Sequence, residues 1–352
     1  MKKLIAKRAL ALLCFAVLLC AVWGPVSVAL TSKECRAWTV KNFYKEKKNT
    51  ADIIILGSSH GYRSFSSMQI WEDRGYSCYN LSTSSQTYMS SYYLLKDAVR
   101  TQHPKVVVLE LYAAWYDDKY VAHEVHSHGS FDYMPMSLNK LSLWKDELLK
   151  DFGFEKSFSY LFPVTLYHER WTELGSKDLH DTRAFCKGFM PSFTVRPQSA
   201  PQPLEGSIPM SDVTRSYLQK IIDLCRKENI LLVGMASPMP AFDRYEITEG
   251  RIRDAAALLK ENGFDAYSST EMTDAIGINY ETDFYNNSHI NYLAASRLTD
   301  FLEEYLDGHA QLEDHRGDPA YDSWTMAEEK YDRTLEKGIK ALQTKTGEDD
   351  AL

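Results

Sequence analysis

Two short polar blocks, far apart in the chain, hold the side chains best suited to chemistry. The first is Gly57-Ser58-Ser59-His60, directly after the apolar run Ile53-Ile-Ile-Leu56. A serine hydroxyl becomes a nucleophile only when a base within hydrogen-bond reach removes its proton. His60 follows Ser59 immediately, and neighbours on an extended chain point to opposite sides, so the base is expected elsewhere. The second block, Asp283-Phe-Tyr-Asn286-Asn287-Ser288-His289-Ile-Asn291, is a polar loop just before the last helix expected in the fold. Alone, such a histidine is most often a cap or a surface residue, and Gly-Ser-Ser is most often a strand-ending turn. Together they make His289 a candidate general base for Ser59.

The elements around these blocks must bring them to one place. Asp52 to Leu56 and Lys105 to Tyr112 contain β-branched apolar runs, the signature of strands buried on both faces of a parallel sheet. Tyr76 to Leu81, Asn229 to Ala236 and Gly263 to Tyr267 read as three more strands. Between them the spacing predicts helices over 66–74, 86–100, 211–225, 251–262 and 291–306. Strands alternating with helices imply βαβ units, and ligands in open α/β sheets sit outside the carboxyl ends of the strands. Ser59 falls at such an end. Residues 113 to about 205 break the rhythm and read as an insertion, with one helix near 138–150 and a proline-rich loop over 191–209.

The N-terminus carries the strongest compositional signal. Lys2, Lys3, Lys7 and Arg8 precede an uncharged, mostly apolar stretch from Ala9 to Leu30, long enough to cross a bilayer. Gly24-Pro25 and Ser27-Val28-Ala29 keep a cleaved signal peptide open beside an uncleaved anchor. Either way the remainder is expected outside the cytoplasm. The chain thus divides into a membrane segment (1–31), a polar connector (32–50), an α/β domain (51–308) and a charged, partly helical tail (309–352) read as a solvated face or a partner contact. A net charge of -8 argues against nucleic acid as a partner. Of six cysteines, Cys14 and Cys20 lie in the apolar stretch and Cys35, Cys78, Cys186 and Cys225 are widely spaced, which makes neither a disulfide framework nor a metal-ligand spacing. The cluster His123-Glu-Val-His126-Ser-His128 invites a metal reading, but without a helical pattern it is expected to be a solvated loop.

With both blocks in view, the chain resembles the SGNH/GDSL hydrolase superfamily. The likeness is to its extracytoplasmic esterase and acyltransferase branch, in which Gly-Ser-Ser-His replaces Gly-Asp-Ser-Leu and a late Asp-x-x-His-x-Asn block supplies the base. The layout is similar to that of D-alanine transfer proteins of teichoic acid modification. The resemblance covers most of residues 50 to 310. It implies a flavodoxin-like three-layer α/β/α sandwich, with Ser59 as nucleophile and His289 as base. The activity implied is that of a serine esterase or O-acyltransferase on a cell-envelope polysaccharide or teichoic-acid-like glycan, beside a membrane-bound O-acyltransferase. No cofactor is required, and no glycine-rich phosphate loop occurs.

One position departs from the family pattern. The acid expected three residues before the histidine falls on Asn286, which can orient an imidazole but cannot stabilise its cation by charge. Asp283, in the same loop, is the expected substitute; a dyad and a catalytically inactive site are the alternatives. For the oxyanion, the family's second-block glycine falls on Ser82, whose backbone N–H remains a donor, and Asn80, Ser84 and Gln86 are further candidates. Asn80 and Gln86 equally suit a purely local role, satisfying loop backbone. Arg63 is expected to anchor the loop or to bind a substrate carboxylate or phosphate. Glu110 is either buried and paired or part of the site lining.

Overall fold

The computed structural model describes residues 2–32, 34–121, 124–175, 178 and 186–346. Its first helix, α1 (Lys2–Leu30), contains a stretch, Leu10–Leu30, long and apolar enough to cross a membrane. Two compact units can be distinguished: 1–33 with 136–182, and 34–135 with 183–352.

The second unit is built on one five-stranded parallel sheet. Its strands are β1 (Ile53–Leu56), β2 (Cys78–Asn80), β3 (Val106–Glu110), β4 (Leu231–Met235) and β5 (Asp265–Tyr267), in the order β2-β1-β3-β4-β5. Every residue of β1 and β3 is buried, as their continuous apolar runs require. Ile53 to Leu56 pair with Val106 to Leu109 on one side, and Ile53 to Ile55 with Cys78 to Asn80 on the other. After β1 the chain goes to β2 on one side and then crosses to β3 on the other. Such a reversal opens a crevice at the carboxyl ends of the strands. Ser59 leaves the sheet at that point.

The connecting helices form where capping residues and apolar spacing agree. Helix α2 (Ala37–Phe43) occupies the presumed connector, and its Trp38, Val40 and Phe43 are buried, so residues 37–43 belong to the core. Helix α3 (Ser59–Ser64) follows β1 directly. Helix α4 (Ser67–Arg74) starts at Ser66, whose hydroxyl accepts the Gln69 N–H, and stops at Gly75 with φ 70°. Helix α5 (Tyr88–Gln102) buries the expected Met89, Tyr93, Leu94 and Ala98. Helix α6 (Glu124–Phe131) carries two of the clustered histidines, while helices α7 (Leu138–Leu143), α8 (Leu149–Leu161) and α9 (Val164–Tyr167) belong to the first unit. Helices α10 (Asp212–Lys227), α11 (Tyr245–Glu261) and α12 (Ser269–Ala275) precede α13 (Tyr292–His309), and α14 (Asp322–Thr346) ends the described chain.

The tail corrects the expectation of a solvated face. Trp324 and Tyr331 are fully buried and Leu342 nearly so, on one side of α14, which packs on α4. The Trp71 indole donates to Glu328 at 3.1 Å, and the Ser66 and Tyr331 hydroxyls lie 2.9 Å apart. Helix α14 is therefore part of the second unit's core. The histidine cluster also differs from its expected form. His126 and His128 lie on α6 rather than in a solvated loop, and His128 is buried with Nδ1 2.7 Å from Asp132. His123 lies outside the described residues. Cys78, Cys186 and Cys225 are buried free thiols.

Candidate functional site

Ser59 meets His289 because two unrelated pieces of chain end at the same crevice. Beyond β1, Gly57 passes so close to Glu110 that a Cβ there would lie 2.6 Å from the glutamate Cβ. Ser58 caps α3, its hydroxyl accepting the His60 N–H at 3.3 Å and donating to Glu110 Oε2 at 3.2 Å. Ser59 is then the first helical residue, half-buried. The other piece is a tight loop closed by a bridge between Phe284 and Ile290 and by the Asn291 N–H on the Asp283 carbonyl at 2.8 Å. The proline-rich segment braces it, for the Arg196 N–H donates to the Phe284 carbonyl and the Tyr292 N–H to the Ser192 carbonyl.

In this frame the Ser59 Oγ lies 2.7 Å from His289 Nε2. Asn286 Oδ1 faces the other ring nitrogen at 3.2 Å and also accepts the backbone N–H groups of Ser288 and His289 at 2.9 and 2.8 Å. An oxygen acceptor at Nδ1 selects the tautomer with its proton there, leaving the Nε2 lone pair for the serine proton. Burial, and next the Arg63 guanidinium, push the His289 pKa down to about 4. The imidazole is therefore neutral and able to accept a proton at pH 7.

Asp283 does not take the acid's place. Its carboxylate accepts the Asn279 N–H at 2.7 Å and pairs with Arg297, so it fastens the loop to α13. Among the candidate oxyanion donors, Asn80 is spent on structure: Nδ2 donates to the carbonyls of Gly61 and Phe65 at 2.9 and 3.1 Å, and Oδ1 accepts the Ser82 N–H at 3.3 Å. Gln86 is likewise spent, its Oε1 accepting from Thr83 and its Nε2 donating to Ser91. The Ser82 hydroxyl is buried without a hydrogen-bond partner beside Gly61, where a Cβ would come within 2.5 Å of it. The Ser84 hydroxyl lies 3.4 Å from that of Tyr62. Arg63 anchors a loop, donating to the carbonyls of Met190 and Pro191 at 3.0 and 3.4 Å, while its guanidinium covers the Tyr285 ring.

His60 has a role that sequence reasoning missed. Its ring stacks on His289 at 4.4 Å and on Tyr112 at 3.7 Å. Nε2 donates to the Ser288 carbonyl at 3.0 Å, and Nδ1 is buried without a hydrogen-bond partner. Burial, followed by the neighbouring His289, holds its pKa well below 6.5. The extended-chain argument rightly kept His60 off the serine, but Ser59 and His60 begin a helix, which turns His60 under the loop. It packs against the His289 ring and ties down the Ser288 carbonyl of the same loop. If Ser59 acts as a nucleophile, His60→Ala is expected to slow its acylation by an activated ester by up to ~10²-fold in stopped-flow, the scale of a 1 Å misplacement. His60→Phe, keeping the stack, should recover part of that rate when both variants are measured by stopped-flow.

Glu110, at the end of β3, is the buried alternative rather than a site-lining group. Burial pushes its pKa up to about 7 against the lowering effect of the Tyr112 N–H and Ser58 hydrogen bonds. Below pH 4.5 the group is protonated in both folded and unfolded chains. As pH rises to 7 only the unfolded chain releases the proton, so stability falls over that window. Glu110→Gln is expected to remove about 3 kcal/mol of that fall, read from denaturant midpoints of both proteins at pH 4.5 and 7.5.

No group of metal-ligating side chains lies at the Ser59–His289 pair among the described residues; the one cluster with suitable spacing is Asp73, Asp300 and Glu303. No family model, curated protein or solved structure matches this chain. The fold and the site thus define an α/β protein with a serine–histidine pair at the carboxyl edge of a parallel sheet.

Proposed function

We propose that this protein is a membrane-tethered serine esterase or O-acyltransferase of the SGNH type, acting on acyl esters of a cell-envelope glycan. The observation that carries the reading is the 2.7 Å contact between Ser59 Oγ and His289 Nε2, with Asn286 on the far ring nitrogen. The strand order 2-1-3-4-5 suits a flavodoxin-like three-layer sandwich. The apolar helix α1, preceded by Lys2, Lys3, Lys7 and Arg8, suits an anchor with the α/β domain on the outer side.

In this mechanism the Ser59 proton passes to His289 Nε2 as Oγ attacks the ester carbonyl. The tetrahedral oxyanion is met by the Ser59 backbone N–H and by the Ser82 N–H, once Ser82 releases its long bond to Asn80. The imidazolium then returns its proton to the departing alcohol, leaving an acyl group on Ser59. Water or a glycan hydroxyl, deprotonated in turn by Nε2, takes the acyl group and restores the serine. A teichoic-acid-like polymer and a membrane-bound O-acyltransferase as acyl source fit this chemistry and the anchor.

Asn286 in the acid's position supports a second reading, a non-catalytic module that keeps the fold to bind glycan or to scaffold an acylation complex. A serine-reactive fluorophosphonate separates the two. The enzyme reading expects an adduct on Ser59 that is lost in Ser59→Ala and His289→Ala. A folded protein that stays unlabelled would count against the enzyme reading and favour the binding module.

A further inference from the structure

The first unit joins the apolar helix to the chain of the insertion, and its surface is unlike the rest. Leu138, Leu141, Phe154, Leu166 and Trp171 are exposed, Leu138 by 86% and Trp171 by 70%. Among the described residues, the other exposed large apolar side chains also lie in this unit, save Val125, Ile247 and Met326. So many exposed large apolar side chains gathered in one unit point to an interaction surface rather than ordinary single-residue scatter.

What covers that face follows from how it is fixed to α1. Helix α9 and the turn after it pack on α1. Arg170 Nη1 donates to the Leu30 carbonyl at 2.6 Å, satisfying an acceptor that the helix end leaves open, and its Nη2 holds Asp178 at 2.9 Å. Deeper along the helix, Leu19 and Trp23 line an open apolar groove of about 360 Å³ with Phe158, Phe162 and Thr165. At 1.5 Å per residue, Trp23 and Leu19 lie roughly 10 and 16 Å below Leu30 along the axis. Side chains that share a groove with them share their depth, and a hydrocarbon core is about 30 Å thick. Between 136 and 175, five Lys and Arg face six Asp and Glu, so charge supplies no attraction to an anionic surface.

We propose that the segment from Met136 to Gly175 is a second membrane element, inserted in the same leaflet as the carboxyl end of α1 and held there by apolar contact with lipid. The inference rests on α1 spanning the bilayer. Phe158 and Phe162 reach into the acyl chains, while Tyr167 and Trp171 sit near headgroup depth, where amphipathic rings are favoured. Lys150, Asp151, Glu155 and Lys156 of α8 are exposed and can reach the headgroups from a shallow position.

The test is photo-crosslinking of the full chain, purified alone and reconstituted in phosphatidylcholine nanodiscs. A benzophenone amino acid is placed singly at Leu18, Phe154, Trp171 and Met326, and adducts are read by mass spectrometry. Lipid adducts are expected at Leu18, Phe154 and Trp171, and at most a tenth as much at Met326. Adducts at Leu18 alone, or crosslinks from Phe154 and Trp171 to a second copy of the chain, would overturn the inference while leaving the anchor intact. No lipid adduct even at Leu18 would overturn both, and equal labelling at Met326 would reduce the effect to general adhesion and refute it.

Discussion

Ser59→Ala and His289→Ala are each expected to lower ester hydrolysis by about 10⁴-fold or more, with the fold intact. In the subtilisin template, loss of the serine or the histidine alone costs nearly as much as loss of the whole constellation, because the groups act as one unit. The same non-additivity is expected here: the double variant should be no slower than either single one. Ser59 is half-buried at the start of a helix and His289 sits in a braced loop, so neither truncation opens a core cavity. Initial rates on an activated acetyl ester, with circular dichroism as the folding control, check both points. A His289→Ala protein that hydrolyses at the unmodified rate would remove the base from the account.

Asn286→Asp is expected to act in the opposite direction. On the proposed mechanism His289 becomes an imidazolium in the transition state, and Asn286 offers it a dipole but no charge. A carboxylate about 4 Å from a cation is worth about 4 kcal/mol at an effective dielectric of 20. The reverse change in the serine-protease template costs roughly 10⁴ in rate. Part of that gain would be spent on burying the new charge, although the Ser288 and His289 N–H groups already point at the site of the oxygen. A gain of about 10²-fold in kcat/KM is therefore expected.

The pH profile supplies a second readout, with the sign fixed by the role. The base works only when neutral, so activity falls as pH drops through its pKa. Burial and Arg63 hold that value at about 4, and the unmodified protein should keep its activity well below pH 6. A carboxylate at position 286 raises the pKa, so the acid limb of Asn286→Asp must move upward. An unmoved limb with an unchanged rate would mean that residue 286 does not couple to the imidazole.

Much of this arrangement is legible in the sequence, for identifiable reasons. The apolar runs of β1 and β3 have nowhere to go but a sheet covered on both faces, and that puts Ser59 at a strand end. Helix α3 is not legible: Ser-His-Gly-Tyr-Arg-Ser has weak helix propensity. It is held instead by the Ser58 cap and by the Asn80 amide on the Gly61 and Phe65 carbonyls. Because α3 was invisible, so was the stacking of His60 on His289. Asp283 looked available because its partner, Arg297, lies a helix turn inside α13, a pairing that spacing does not announce. In the tail, the charged residues outnumber the stripe of Trp324, Tyr331 and Leu342 that actually buries α14. Asn286, by contrast, is readable in position, since its place three residues before His289 is also what closes the turn beneath the ring.

The central claim is that Ser59 carries an acyl group during turnover. It is tested most directly by quenching the purified protein in acid, milliseconds after mixing with an activated acetyl ester, and mapping the adduct by mass spectrometry. The account predicts one acetyl group, on Ser59, formed in a burst and discharged by water or by an added glycan alcohol. A folded protein that forms no adduct, or that turns the ester over with the acetyl group on another residue, would contradict it.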